Sequence, residues 1–419
     1  MNDLKSNSDV LPISNEQKKK LSISFICLLI TVFLDQIGMY LISPIIPSLL
    51  ESVTHINVVD NALIGGWLLA TFGIMQFLFA PIMGAISDKF GRKPILIVCF
   101  IAFTLDYFLY AISHNLYLLF LARIIAGIAG SSIIVSLASV ADMSDKQNKM
   151  QNYGFIFGVM GLGLVVGPAI SAVVVRFGVR VPFYVAAFLS LLGLLCIIFL
   201  FKETLDKSNR RAFKLDNPLS SVMYFLKYRA LRYLFIVQIL FMFATQFAIV
   251  LWPFFTKYRF AWSDSQIATS FVILGIGAIF AQTILLKLVR YVINDRNVPV
   301  LGFILFALGL ICISFSNSAL ALYVAMIIYS FSSISNSSIV SIFSSQASDS
   351  EQGLLMGALS CITSFWTVIG PVCATNMYHY TVRLQLPSSD GYPFIFSAIL
   401  VLLCLIPLVI GLKYATIKY

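Results

Sequence analysis

Residues 62–113 read ALIGGWLLATFGIMQFLFAPIMGAISDKFGRKPILIVCFIAFTLDYFLYAIS. Two apolar runs, 62–83 and 94–113, flank ten residues that hold Asp88, Lys89, Arg92 and Lys93. A bilayer core about 30 Å thick is crossed by about 20 apolar residues in a helix, so each run is long enough to span it. The charged turn between them has to sit in water. The rest of the chain repeats this pattern: of 419 residues, 59% are hydrophobic and 11% charged, against about 45–50% and 25% in soluble proteins. Too little polar surface remains to cover a water-soluble globule of this size. The runs do not alternate apolar and polar residues over about ten positions, which excludes a transmembrane barrel.

Reading outward for runs of this length gives twelve spans: 21–41, 62–83, 94–113, 117–138, 152–174, 182–201, 233–255, 267–289, 298–317, 319–341, 353–376 and 393–413. The first carries Asp35 and lacks a small-residue cleavage site, so it is a span and not a cleaved leader. Of the 28 Lys and Arg residues, 22 fall in the tails and the even-to-odd connections, five fall on the other side and Arg123 lies inside a span. Basic loops stay in the cytoplasm, which predicts both termini there. The net charge of +10 is therefore an orientation signal and not a nucleic-acid footprint.

The one long polar connection, 202–232, divides the chain into a tail 1–20, a bundle 21–201, a bundle 233–413 and a tail 414–419. The halves echo each other. Gly154 precedes Gly167-Pro168 by the same thirteen positions that separate Gly357 from Gly370-Pro371, at an offset of 203 residues. This predicts an all-α membrane protein of two pseudo-symmetric six-helix bundles with a site between them.

The turn Gly84-Ala-Ile-Ser-Asp88-Lys89-Phe-Gly91-Arg92-Lys93 has the spacing Gly-x-x-x-Asp-Lys-x-Gly-Arg-Lys. Gly84 permits close helix approach and Gly91 a tight turn. Asp88 can pair with Arg92 or a helix end, forming a latch that breaks and reforms. This loop resembles the signature of major facilitator superfamily transporters. Residues 67–96, Leu34-Asp35-Gln36-Ile37-Gly38, Leu105-Asp106-Tyr107 and Arg123-Ile-Ile-Ala-Gly127 resemble the tetracycline-exporter branch of drug/proton antiporters. Gly163-x-x-x-Gly167-Pro168 resembles that branch's antiporter motif, with Ser171 and Ala172 where two glycines are usual. The resemblance covers roughly residues 24–412 and implies proton-coupled export.

Three ionisable residues lie inside spans: Asp35, Asp106 and Arg123. Charge in hydrocarbon is costly unless paired or wetted, which makes each a functional candidate. At 1.5 Å per residue all three fall about 18–21 Å above the cytoplasmic start of their spans, close enough for one cluster. That cluster is the candidate proton-coupling site. The alternative is an Asp106–Arg123 pair that only staples helices. Gln76, Gln238, Gln246, Gln282 and Asn336 either touch substrate or hydrogen-bond between helices.

Tetracycline exporters carry an acid in span nine and a His in span eight. Phe306 and Ala278 stand at those positions, so the resemblance does not carry tetracycline itself. His55, His114 and His379 are expected in external loops, and the seven Cys show no paired spacing. No phosphate-binding Gly-Lys-Ser/Thr loop is present, and no cofactor, metal or enzyme activity is expected. The expected partners are a small-molecule substrate, protons and the lipid of a bacterial inner membrane, with the chain as a monomer. A proton symporter of a metabolite or siderophore, and a membrane sensor that has lost transport, stay open.

Overall fold

A computed structural model describes residues 15–145, 148–210, 213, 218–348 and 351–415. Lys5, Lys146, Arg211, Lys214 and Lys418, counted above toward the basic face, lie outside the described residues. Among the described residues, twelve helical segments are long and apolar enough to cross a membrane. They are Ile23–Thr54, Val58–Phe90, Arg92–Ile112, Leu116–Met143, Gln151–Phe177, Val181–Phe199, Arg229–Phe260, Asp264–Val292, Val298–Phe315, Ala319–Ser345, Leu354–Arg383 and Ser389–Tyr414, here spans one to twelve. No strand occurs among the described residues.

Most spans run beyond their apolar cores, and in span two a polar cap sets the start. The Asn57 side chain accepts from the Asp60 amide and starts span two four residues early. Gly91 ends it at φ 106°, a conformation that L side chains rarely adopt. Span eleven continues to Arg383, which puts His379 on a helix and not in the expected loop.

The spans pack in the same order in each half. In the first, span one lies against five and six, span three against four and six, and two against four. In the second, span seven lies against eleven and twelve, nine against ten and twelve, and eight against ten. Between the halves, span two packs on eleven and five on eight. The glycine echo of the sequence has a matching role in both bundles. A Cβ on Gly167 would press on the Ile37 carbonyl and Tyr40 of span one, and one on Gly370 would press on Gln246 of span seven.

Spans four and ten are each broken. Span four stops at Ala129 and resumes at Ser132, and span ten stops at Phe331 and resumes at Ile334, 202 residues later. The apolar runs pass straight through both breaks, so the pattern of residues predicts unbroken helices there. Gly and paired serines loosen the helical ladder at these steps.

Candidate functional site: a charged layer and a closed face

Asp106 sits on span three, buried to 1% exposure, and accepts a hydrogen bond from the Arg123 guanidinium of span four. Arg123 also lies over the rings of Tyr110, at 4.5 Å, and Phe72 of span two, at 5.7 Å. Such contacts partly replace the water that a buried guanidinium gives up. Asp106 Oδ1 and Arg123 Nε have no partner, so the pair is not saturated.

Asp35 stands apart from this pair. Its Oδ2 accepts from the Ser132 hydroxyl at 3.2 Å, and Ser132 opens the second piece of span four. The break in span four therefore aims a donor at the span-one acid. Tyr107 lies within electrostatic reach of Asp35, Asp106 and Arg123, and its ring packs against Gly38 one turn from Asp35. The three ionisable residues expected in one layer share that neighbour, while only Asp106 and Arg123 form an ion pair.

The uncharged candidates divide by environment. Gln76 Nε2 donates to the Gly130 carbonyl at 2.8 Å, filling the acceptor left open by the break in span four. Gln238 is buried, and Gln246 packs against Gly370. Asn336 is exposed just beyond the break in span ten. Gly163 and Gly167 lie against span one at Gln36 and Ile37, and Pro168 follows inside the same helix. The antiporter-motif residues therefore press on the backbone next to Asp35.

The signature turn makes a latch inside the first bundle. Arg92 pairs with Asp88 at 2.6 Å and with Asp142, at the end of span four, at 2.9 Å. Glu203 accepts from the backbone amides of Arg92 at 2.8 Å and Lys93 at 3.2 Å. Asp142 and Glu203 carry no intramembrane signal and escape a reading by depth. No heavy atom lies within 4 Å of where a Gly84 Cβ would stand.

At the face opposite this turn the two bundles meet. Lys257 pairs with Glu51 at 2.6 Å and donates to Ser48, which donates to Asp264. Asp60 takes His379 at 2.8 Å and Arg383 at 3.1 Å. The Ser265 hydroxyl donates to the Ala172 carbonyl at 2.7 Å. Below these contacts the helices touch through glycines. A Cβ on Gly73 would stand 2.7 Å from the Thr367 carbonyl oxygen, and one on Gly275 would stand 2.7 Å from the Val165 side chain. Nearer the basic face, Gly84 on span two and Gly154, Gly158 and Gly161 on span five face open space. Among the described residues every ion pair and side-chain hydrogen bond between the bundles lies at the far face. The result is a cleft closed at that face and splayed toward the basic one.

The chain is similar to known proteins. The tetracycline resistance protein, class C, of Escherichia coli is 31% identical over 384 residues, covering 91% of this chain and 95% of that protein. Multidrug resistance protein 2 of Bacillus subtilis is 24% identical over 389 residues, covering 91% and 92%. The crystal structure of a bacterial homolog of the human lysosomal transporter Spinster, inward-facing and occupied, superposes with a TM-score of 0.75 at 11% identity. That superposition covers 95% of this chain and 99% of the other. The family described as the Major Facilitator Superfamily matches residues 28–371, and again 234–418. With twelve spans in two like bundles around a one-sided cleft, the chain belongs to the Major Facilitator Superfamily.

Proposed function

We propose that this chain exports small amphipathic organic compounds in exchange for protons by alternating access. Bundles 21–201 and 233–413 rock about the cleft, and the linker 202–232 with both tails lies in the cytoplasm of a bacterial cell. In that orientation the cleft opens inward. The relatives named for tetracycline and multidrug resistance support a drug-like substrate, and the basic loops support the orientation.

The observation that carries the coupling role is the different holding of the two acids. Asp106 is locked by the Arg123 guanidinium, whereas Asp35 has one hydroxyl donor, at 3.2 Å. A group that must gain and lose a proton in each cycle needs a partner it can do without. Asp35 is therefore the proton carrier, with Ser132 as its releasable donor and Asp106 holding Arg123 in place. Opening to the outside lets Asp35 take a proton, and closure around span five releases it inward. Each proton driven by 100 mV contributes about 2.3 kcal/mol, enough for roughly fifty-fold accumulation.

The test uses inside-out vesicles loaded with a pH dye and a panel of drugs. Wild type should release protons with at least one compound, and Asp35→Asn should not. Equal proton release from both proteins would remove Asp35 from the coupling role.

A further inference from the structure

Two of the seven cysteines meet. The Cys27 thiol of span one and the Cys196 thiol of span six lie 2.9 Å apart, and Cys27 also donates to the Cys196 carbonyl at 3.3 Å. Both stand near the basic ends of their helices, Cys27 one turn from Ile23 and Cys196 one turn from Phe199. Among the described residues no other two thiols touch. The matching spans of the second bundle, seven and twelve, carry a single cysteine, Cys404, whose thiol donates to the Leu400 carbonyl at 3.1 Å. The thiol pair is therefore a feature of the first bundle alone.

The two sulfurs differ in access. Cys27 is 2% exposed, whereas Cys196 is half-buried, one turn from the exposed Leu192 and Phe199. A small reagent arriving from the lipid side reaches Cys196 first and Cys27 only through it. Lys93 donates to the Ile198 carbonyl at 2.8 Å and lies within electrostatic reach of Cys27, so the pair sits beside a cation. Among the described residues no third His, Cys, Asp or Glu joins the thiols to make a metal site. The chemistry open to two touching thiols is then the disulfide. Its sulfurs stand about 2.05 Å apart, so an approach of about 0.9 Å closes it.

We propose that Cys27 and Cys196 form a reversible redox staple, oxidised to a disulfide by a hydroperoxide that enters at Cys196. The Cys196 sulfur attacks the terminal peroxide oxygen, the O–O bond breaks, and an alcohol or water leaves, with Cys196 as a sulfenic acid. The Cys27 sulfur then attacks the Cys196 sulfur and the S–O bond breaks. The departing hydroxyl takes the Cys27 proton and leaves as water. In sum the two thiols lose two electrons and two protons to the hydroperoxide. The bond ties span one to span six inside one bundle. It holds the helix that carries Asp35, two turns further in, and leaves the contacts between the bundles free. Thiol reductants reverse it.

The experiment treats the full chain in nanodiscs with cumene hydroperoxide or with hydrogen peroxide and maps the cysteine peptides by mass spectrometry without reduction. A linked Cys27–Cys196 peptide should form with at least one oxidant and disappear on adding dithiothreitol. Cys27→Ser should leave Cys196 as a sulfenic acid that dimedone captures. Cys196→Ser should leave Cys27 a free thiol, so the order of oxidation is read even where one variant folds poorly. The linked protein should unfold at a higher temperature than the reduced one, because the bond closes a separation of 169 residues. Linkage from cumene hydroperoxide alone would place the oxidant in the lipid, and from hydrogen peroxide alone in water at the basic face. No linked peptide with either oxidant, linkage through another cysteine, dimedone capture at Cys27 in Cys196→Ser, or an unmoved unfolding midpoint would overturn the proposal.

Discussion

The Gln76 amide of span two donates to the Gly130 carbonyl of span four at 2.8 Å, and the second bundle closes the same joint with the direction reversed. There Ser333, beside the break in span ten, donates to the carbonyl of Ala278, the residue 202 positions after Gln76, at 3.2 Å. Both bundles thus break the same helix and tie the break to the same neighbour. Gln76→Leu should leave the Gly130 carbonyl short of a partner at a cost of about 1–3 kcal/mol. The measurement is the thermal unfolding midpoint of purified protein, which should fall while substrate affinity stays within about threefold. A large affinity loss at an unchanged midpoint would instead place Gln76 against substrate.

Asp106 and Arg123 make a different prediction. Removing one member of a buried ion pair leaves the other charge unpaired and costs about 3–5 kcal/mol. Asp106→Asn should therefore destabilise the protein markedly, because an amide and the rings of Tyr110 and Phe72 supply no negative charge to the guanidinium. Adding Arg123→Gln should recover part of the loss, since no charge is then stranded. Chemical unfolding of the single and double variants reads this directly, and additive losses would show that the two residues act independently.

The membrane spans, the two-bundle layout and the Asp106–Arg123 pair were legible because lipid enforces them. An apolar run can be counted, and an ionisable residue inside one has few options. The cross-bundle contacts were not legible. Asp60 and His379 are 319 residues apart in sequence, and neither lies in an apolar run, so nothing local joins them. The breaks in spans four and ten escaped because hydropathy records transfer into lipid and is blind to helix continuity. Cys27 and Cys196 show no spacing signal, yet spans one and six bring their thiols within 2.9 Å. Depth along separate helices placed Asp35 with Arg123, but only the break in span four decides that Asp35 meets Ser132.

Gly73 meets the backbone of Thr367, where neither side can yield by turning a side chain. Gly73→Val should therefore keep the far face from closing while each bundle retains its internal packing. The folded protein should survive with its unfolding midpoint little changed and transport lost. Spin labels placed on exposed residues beside the Asp60–Arg383 contact, at Ile56 and Leu384, should move apart in distance measurements. An unchanged distance would mean that spans two and eleven accommodate the side chain by sliding.

The far-face ion pairs predict a graded response. Each partly exposed pair contributes about 0–1 kcal/mol. Asp60→Asn removes the carboxylate partner of both His379 and Arg383, and Glu51→Gln removes that of Lys257, leaving its bond to Ser48. Together they should shift the balance toward the form open at the far face by about 1–2 kcal/mol, or roughly five- to thirtyfold in population. Single-molecule distance histograms across the far face would report the shift, and a population equal to wild type would show that glycine packing alone holds this face closed.

The linker supplies a prediction that is independent of transport. Glu351 accepts from the Tyr224 hydroxyl at 2.6 Å, and the Tyr224 ring lies 3.6 Å from the Lys227 ammonium. The Tyr224 hydrogen bond, with further ones from Ser348, holds the Glu351 carboxyl down at about 2. Because this value is depressed in the folded chain, the contact is complete above the ordinary carboxylate range and is lost only as pH falls through about 2. Docking of the short helix Pro218–Phe225 should therefore be unchanged between pH 5 and 8. Hydrogen exchange over residues 218–228, corrected for its intrinsic pH dependence, should be constant across that window in wild type. In Glu351→Gln the same amides should exchange faster at every pH, since a neutral amide accepts more weakly than a carboxylate. Exchange that rose in wild type as pH fell from 8 to 5 would mean that a group titrating in that window, and not Glu351, holds the linker helix in place.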